Sequence, residues 1–304
     1  MENRRNFTRK VIAAGIGTAA IPLINDTSAA NMRSNGFSSE KKLKVSLNAY
    51  SFDKLLKAGK MSLDDLLDFC AKSGFDGADL TGYYFPGYPA VPSDEYIYHL
   101  KQKAFRLGVE LGSTGVRNDF TWHDSAKRAP EKQLVKDWVI VAEKLGAKGL
   151  RIFAGTLSKE EFTWDERAKW IADDIKECAD FAGKHGVMLA LQNHNDFLKN
   201  SAQVDKMMKM IDSPWVGLML DIGSYHTADP YADIEANSKY AITWQMKEKV
   251  FVNETQVDTD FMKIRDIVVK CGYRGYLPIE TLGDGDPYVK VPDLLVRINT
   301  AFKS

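Results

Sequence analysis

Five times along this chain an amphipathic helical pattern ends on a basic residue, one further residue and a glycine, and an apolar run follows. The stops are Lys72-Ser73-Gly74, Arg106-Leu107-Gly108, Lys144-Leu145-Gly146, Lys184-His185-Gly186 and Lys270-Cys271-Gly272. Glycine accepts the left-handed conformation that closes a helix, and a cation in the last turn interacts well with the helix dipole. The pattern predicts helices over 62–73, 93–107, 131–145, 165–185 and 259–271. The runs behind the stops predict strands over 77–81, 109–113, 149–154, 187–192 and 276–281. Further apolar runs over 45–50, 216–221 and 242–246 bring the strands to eight.

Strict alternation of strand and helix implies a parallel sheet. An open doubly wound sheet would want an early glycine-rich phosphate turn, and the chain has none. Eight strands without that turn predict a closed (β/α)₈ TIM barrel, an α/β fold that takes roughly 250 residues. One such domain over residues 44–304 accounts for most of the chain.

The first thirty residues read differently. Arg4 and Arg5 form a twin arginine, Phe7 follows, Val11 to Ile24 is a short apolar run, and Ser28-Ala29-Ala30 offers a cleavage site. That order is expected of a twin-arginine signal peptide over residues 1–30, with a polar linker over 31–43. The apolar run falls short of the ~20 residues that span a bilayer, so no stable membrane insertion is expected. The expected location is the periplasm.

Composition narrows the partners. The chain balances 41 basic against 41 acidic residues. Residues 1–30 carry a basic excess, so the remainder is slightly acidic. That leaves no cationic surplus for a phosphate backbone, and nucleic acid is excluded as a partner. Cys70, Cys178 and Cys271 sit in or beside helical patterns with no paired spacing, which predicts buried structural thiols.

In a barrel of this kind the active site forms at the C-terminal ends of the strands. The fifth predicted strand ends on Gln192-Asn193-His194, the sixth on Asp221, the seventh on Gln245-Met246-Lys247 and the eighth on Glu280. Asp221 and Glu280 close apolar runs, and a buried acid is costly unless something pairs with it. A divalent cation is one such partner, since hard carboxylate oxygens suit Mg²⁺ or Mn²⁺ and imidazole shifts the choice toward Mn²⁺ or Zn²⁺. Salt-bridged structural acids are the alternative. Tyr50, Phe52, Tyr83, Tyr84, Phe85, Trp122 and Trp244 lie near the expected rim, where their faces could stack on a ring. The segment 82–92, rich in aromatic residues, Pro and Gly, reads as a substrate-covering loop.

These strand ends resemble the xylose isomerase-like TIM barrel superfamily, the sugar phosphate isomerase/epimerase family, over about residues 44–302. The resemblance implies a divalent metal (Mn, Mg or Zn) held by Glu, Asp, His and Glu, whose matching positions are Gln192, Asp221, Gln245 and Glu280. Two of the four are amides here. Asn193, His194 and Lys247 also match, while His226 lies further past Asp221 than the family spacing. Family epimerases of the two-base kind use the glutamates of the fifth and eighth strands. Gln192 cannot shuttle a proton at neutral pH, so Glu280 keeps the role of base and the second acid/base falls to His194 or His226. Lys247 is the candidate for stabilising an enolate oxygen.

Export points away from phosphosugars and DNA, toward free sugars or glycosides. The expected reaction is proton abstraction next to a keto-sugar carbonyl, by a lyase or hydratase on 3-keto-sugars or 3-keto-glycosides in glycoside breakdown. Isomerisation or epimerisation of unphosphorylated keto-sugars is the alternative, and a catalytically degraded sugar-binding protein is a second. Homo-oligomers are common among such barrels.

Overall fold

All five glycine stops adopt the left-handed conformation, with φ from 66° at Gly186 to 79° at Gly74 and Gly146. The structure, a computed structural model, describes residues 43–156 and 162–303. The expected leader, residues 1–30, lies outside the described residues, as does nearly all of the linker.

The eight predicted strands are present. They are β1 (Lys44–Asn48), β2 (Gly77–Thr81), β3 (Glu110–Gly115), β4 (Gly149–Ile152), β5 (Met188–Gln192) and β6 (Val216–Asp221), then β8 (Ala241–Lys247) and β11 (Tyr276–Glu280). They close a barrel in the order β1-β11-β8-β6-β5-β4-β3-β2. Every pair is parallel, and the seam is sealed by β1 against β11, Val45 beside Leu277 and Leu47 beside Ile279. The core lies inside the barrel and between strands and helices, where Leu47, Leu150, Leu191, Leu218 and Ile279 are fully buried.

Local chemistry sets the helix starts. Ser62 accepts from the Asp65 backbone N–H, and the Asp65 carboxylate accepts from Ser62, a reciprocal cap for the helix Leu63–Ser73. Those Ser62 hydrogen bonds hold the Asp65 carboxyl below its usual range. Ser62→Ala is expected to cost about 1 kcal/mol in urea unfolding. The helix predicted from residue 131 begins earlier, at Ser125, and carries Pro130 inside it. Tertiary contacts outweigh the lost N–H: Arg128 ties the added turn down through Asp174 at 2.5 Å and the Trp122 and His123 carbonyls at 2.8 and 2.6 Å.

Four helices were not legible in the sequence pattern: Asp53–Lys57, Ser201–Ile211, Pro230–Asn237 and Pro287–Lys303. Nor was a three-stranded sheet of β7 (His226–Thr227), β9 (Lys249–Val252) and β10 (Thr255–Asp258), which runs in the order β10-β9-β7 beside the ends of β6 and β8. Among the described residues, no helix is long and apolar enough to cross a membrane.

The thiols are free, with Cys70 and Cys178 buried and Cys271 partly exposed. Burial pushes Cys70 and Cys178 up to about 12. A thiol-disulfide reagent at pH 8 is therefore expected to label Cys271 alone in the native protein, and all three thiols after denaturation.

Candidate functional site

A cavity of about 740 Å³ opens at the C-terminal end of the barrel. Parallel register builds its floor. Asp221 lies beside Gln245, and Glu280 lies beside Lys247, on neighbouring strands. Gln245 and Lys247 are two residues apart on β8, so both side chains take the same face. Gln192 joins them from the end of β5.

The cluster is a closed hydrogen-bond network. Lys247 Nζ lies 2.5 Å from Glu280 Oε1 and 3.5 Å from Asp221 Oδ2. Gln192 Nε2 donates to Asp221 Oδ2 at 2.7 Å, and the Gly223 backbone N–H donates to Asp221 Oδ1 at 2.9 Å. Gln245 Nε2 donates to Glu280 Oε2, while its carbonyl oxygen accepts from Asn48 Nδ2 at 3.4 Å. Asp221 is 1% exposed, and Lys247 and Glu280 are 8% exposed. Burial lowers the pKa of the Lys247 ammonium, but the charges of Asp221 and Glu280 outweigh it and hold the ammonium above its ordinary value. Asn193 locks β5 to β6 by exchanging two hydrogen bonds with the Asp221 backbone at 2.8 and 3.0 Å.

Gly223 makes room for the lysine. A Cβ at residue 223 would stand 2.9 Å from Lys247 Cγ and 3.2 Å from the Lys249 carbonyl. Gly223→Ala is expected to push the lysine stem aside and cost about 1–3 kcal/mol, measured by denaturant unfolding.

The histidines stand higher on the wall. His194 lines the cavity, its Nδ1 2.8 Å from an Asp196 carboxylate oxygen, though out of line for a hydrogen bond. His226, on β7, stacks on Phe251 at 3.7 Å and meets Glu254 through Nδ1 at 2.5 Å. His99 and His185 pair with Asp64 and Glu143 instead.

The aromatic rim is smaller than expected. Tyr50 and Tyr83 line the cavity, joined by Phe153 and Phe251. Phe52, Phe85 and Trp244 are core residues. Trp122 lies under the Lys127 ammonium, and Tyr84 donates to Asp53 at 2.7 Å. The 82–92 segment does not cover the site as a whole. Phe85 and Tyr88 pack on Trp138 at 5.3 and 5.4 Å, and Trp138 Nε1 donates to the Pro89 carbonyl. Its large apolar rings find a buried partner on the neighbouring helix, and Tyr83 alone of the segment lines the cavity.

Two cavity features lay outside the sequence reading. Asn48 orients Gln245 from the end of β1. Arg151, on β4, donates to the Tyr83 hydroxyl and the Val116 carbonyl, both at 2.7 Å. The signal for Arg151 is present in the chain, as a cation inside the apolar run Gly149–Ile152.

The barrel, with polar side chains gathered at its strand ends, defines a class. Residues 67–297 match the family pattern of the xylose isomerase-like TIM barrel, and the chain belongs to that family. No curated protein sequence matches it at a significant level. Among solved structures, it is similar to apo 3-keto-D-glucoside 4-epimerase, YcjR, from E. coli, with 14% identity and TM-score 0.67 over 85% of this chain and 100% of that one. It is similar to the IolI protein with a bound zinc atom, with 15% identity and TM-score 0.68 over 85% and 96%. It is also similar to the probable 3-DHS dehydratase AsbF from Bacillus anthracis, with 17% identity and TM-score 0.63 over 86% and 99%.

The expected metal quartet can now be tested against its own geometry. Gln192, Asp221, Gln245 and Glu280 do converge, as the resemblance implies. Their polarity is nevertheless wrong for a resident dication. Both amides present N–H groups to the carboxylates. Each of the four carboxylate oxygens accepts one donor, and Lys247 supplies a positive charge between the two acids. Among the described residues, no three His, Cys, Asp or Glu side chains gather as metal ligands. The donor set does not fit the group.

Proposed function

We propose that this barrel is an exported carbohydrate enzyme that removes the proton next to a keto-sugar carbonyl, and that its reaction is elimination from, or hydration of, 3-keto-sugars and 3-keto-glycosides. The observation that carries the reading is Glu280: a cavity-lining carboxylate held against an ammonium, with an amide, Gln192, on the β5 end. A two-base epimerase needs a second proton shuttle at that end, and an amide cannot provide it. Elimination needs one base and one acid.

The step balances as follows. Glu280 takes the C2 proton of a 3-keto-glycoside, and the electron pair moves onto the C3 oxygen. Lys247 donates a hydrogen bond there as negative charge develops. The pair returns to form the C1–C2 double bond and expels the C1 oxygen. His194 or His226 gives the leaving oxygen a proton. Hydration is the reverse, with water in place of the departing alcohol.

Of the cations that line the cavity, Lys247, Lys249 and Lys290 each meet a carboxylate, at 2.5, 2.6 and 3.1 Å, Arg151 is engaged by Tyr83 and Val116, and Arg117 is exposed. The expected export is what favours an unphosphorylated substrate. The names of two structural neighbours, a 3-keto-glucoside epimerase and a probable dehydratase, fit chemistry next to a ketone. The twin arginine of the leader supports a periplasmic location.

Incubation with 3-keto-glucosides and with free ketoses in D₂O tests the reading. Aglycone release or hydration is the expected result, and deuterium exchange with neither would sink it in favour of isomerisation or epimerisation. No exchange at all, with sugar bound, marks a binding protein. The acid is identified by comparing His194→Asn with His226→Asn. The one that protonates the leaving group is expected to lose about 10²-fold in aglycone release while C2 exchange persists.

A further inference from the structure

We propose that Lys247 is a built-in replacement for a metal ion: its ammonium holds the place between Asp221 and Glu280 that a dication would occupy, and the protein works without one.

Three observations carry this. The ammonium reaches both buried carboxylates, at 2.5 and 3.5 Å, from a side chain that is itself 8% exposed. The two amides are turned to donate rather than to ligate, and the Gln245 carbonyl oxygen is already occupied by Asn48. The slot for the lysine stem is cut into the backbone, because only the missing Cβ of Gly223 lets Lys247 Cγ pass. Two carboxylates and one ammonium leave a single net negative charge at the cluster. Of the three donors on the ammonium, two face Glu280 and Asp221, and the third is left for a substrate oxygen.

The inference deepens the reading of the same site and rests on it only for the substrate oxygen. Its test needs no turnover, so its failure is distinguishable from failure of the keto-sugar reaction. Elemental analysis of full-length protein purified without chelator is expected to show far less than one Mn, Zn or Fe per chain. The melting temperature is expected to stay constant with EDTA or with MnCl₂. In Lys247→Ala the place is vacated, and MnCl₂ is expected to raise the melting temperature by several degrees where wild type does not move. Stoichiometric metal in the wild-type protein, with a fall in melting temperature on chelation, overturns the proposal. So does a folded Lys247→Ala protein no more responsive to MnCl₂ than wild type. Where that variant does not fold, metal content and the wild-type titrations decide alone.

Discussion

Glu280→Gln is expected to lower the rate of C2 proton exchange by about 10²–10⁴-fold, the usual contribution of a positioned general base. The fold is expected to survive. Glutamine keeps a carbonyl oxygen for Lys247 Nζ, which now lies 2.5 Å from Glu280 Oε1, and Asp221 stays as the ammonium's remaining carboxylate. Sugar binding is expected to persist, because the substitution alters the proton acceptor and little of the cavity's shape. Deuterium incorporation followed by NMR checks the rate, and calorimetric titration with a 3-keto-glucoside checks binding. Exchange that continues at the wild-type rate would place the base elsewhere on the wall.

Lys247→Met is expected to be the most damaging single change to stability. Methionine keeps the aliphatic stem beside Gly223 and removes only the charge. Asp221 and Glu280 are then left in the barrel mouth at 1% and 8% exposure with no cation between them. Breaking a buried pair by deleting one partner costs about 3–5 kcal/mol, because an uncompensated charge stays behind. Urea unfolding at neutral pH measures the loss. Adding Glu280→Gln to Lys247→Met is expected to restore part of it, since one stranded carboxylate is removed, and the paired measurement isolates the coupling. A loss below ~1 kcal/mol would show the ammonium to be a solvated bystander.

Much of the barrel was legible in the chain because its signals are local. The left-handed glycines at 74, 108, 146, 186 and 272 need no partner to act, and the apolar runs behind them have nowhere to go but a sheet. The helix from Ser201 to Ile211 lacks a glycine stop and ends on Asp212 in the left-handed conformation, so the repeat passed over it. In the small sheet, β9 and β10 form a local hairpin across Asn253 and Glu254, but β7 joins it through a distant pairing, His226 beside Phe251, that no single segment announces.

For the site, the sequence by itself determined which residues close the strands: Gln192, Asp221, Gln245, Lys247 and Glu280. A strand's last residue in this fold must face the mouth, and an acid at the end of an apolar run has few other uses. What the sequence did not determine is what those residues do to each other. It pointed to a metal between the two buried acids, with salt-bridged structural acids as the alternative, and named no partner for them. Only the tertiary structure supplied the contacts among these side chains. Register set Lys247 beside Glu280, Gly223 opened its path, and Asn48 turned the Gln245 amide. Each of these is a contact across strands, and the direction in which an amide points depends on the neighbour it meets rather than on its own place in the chain.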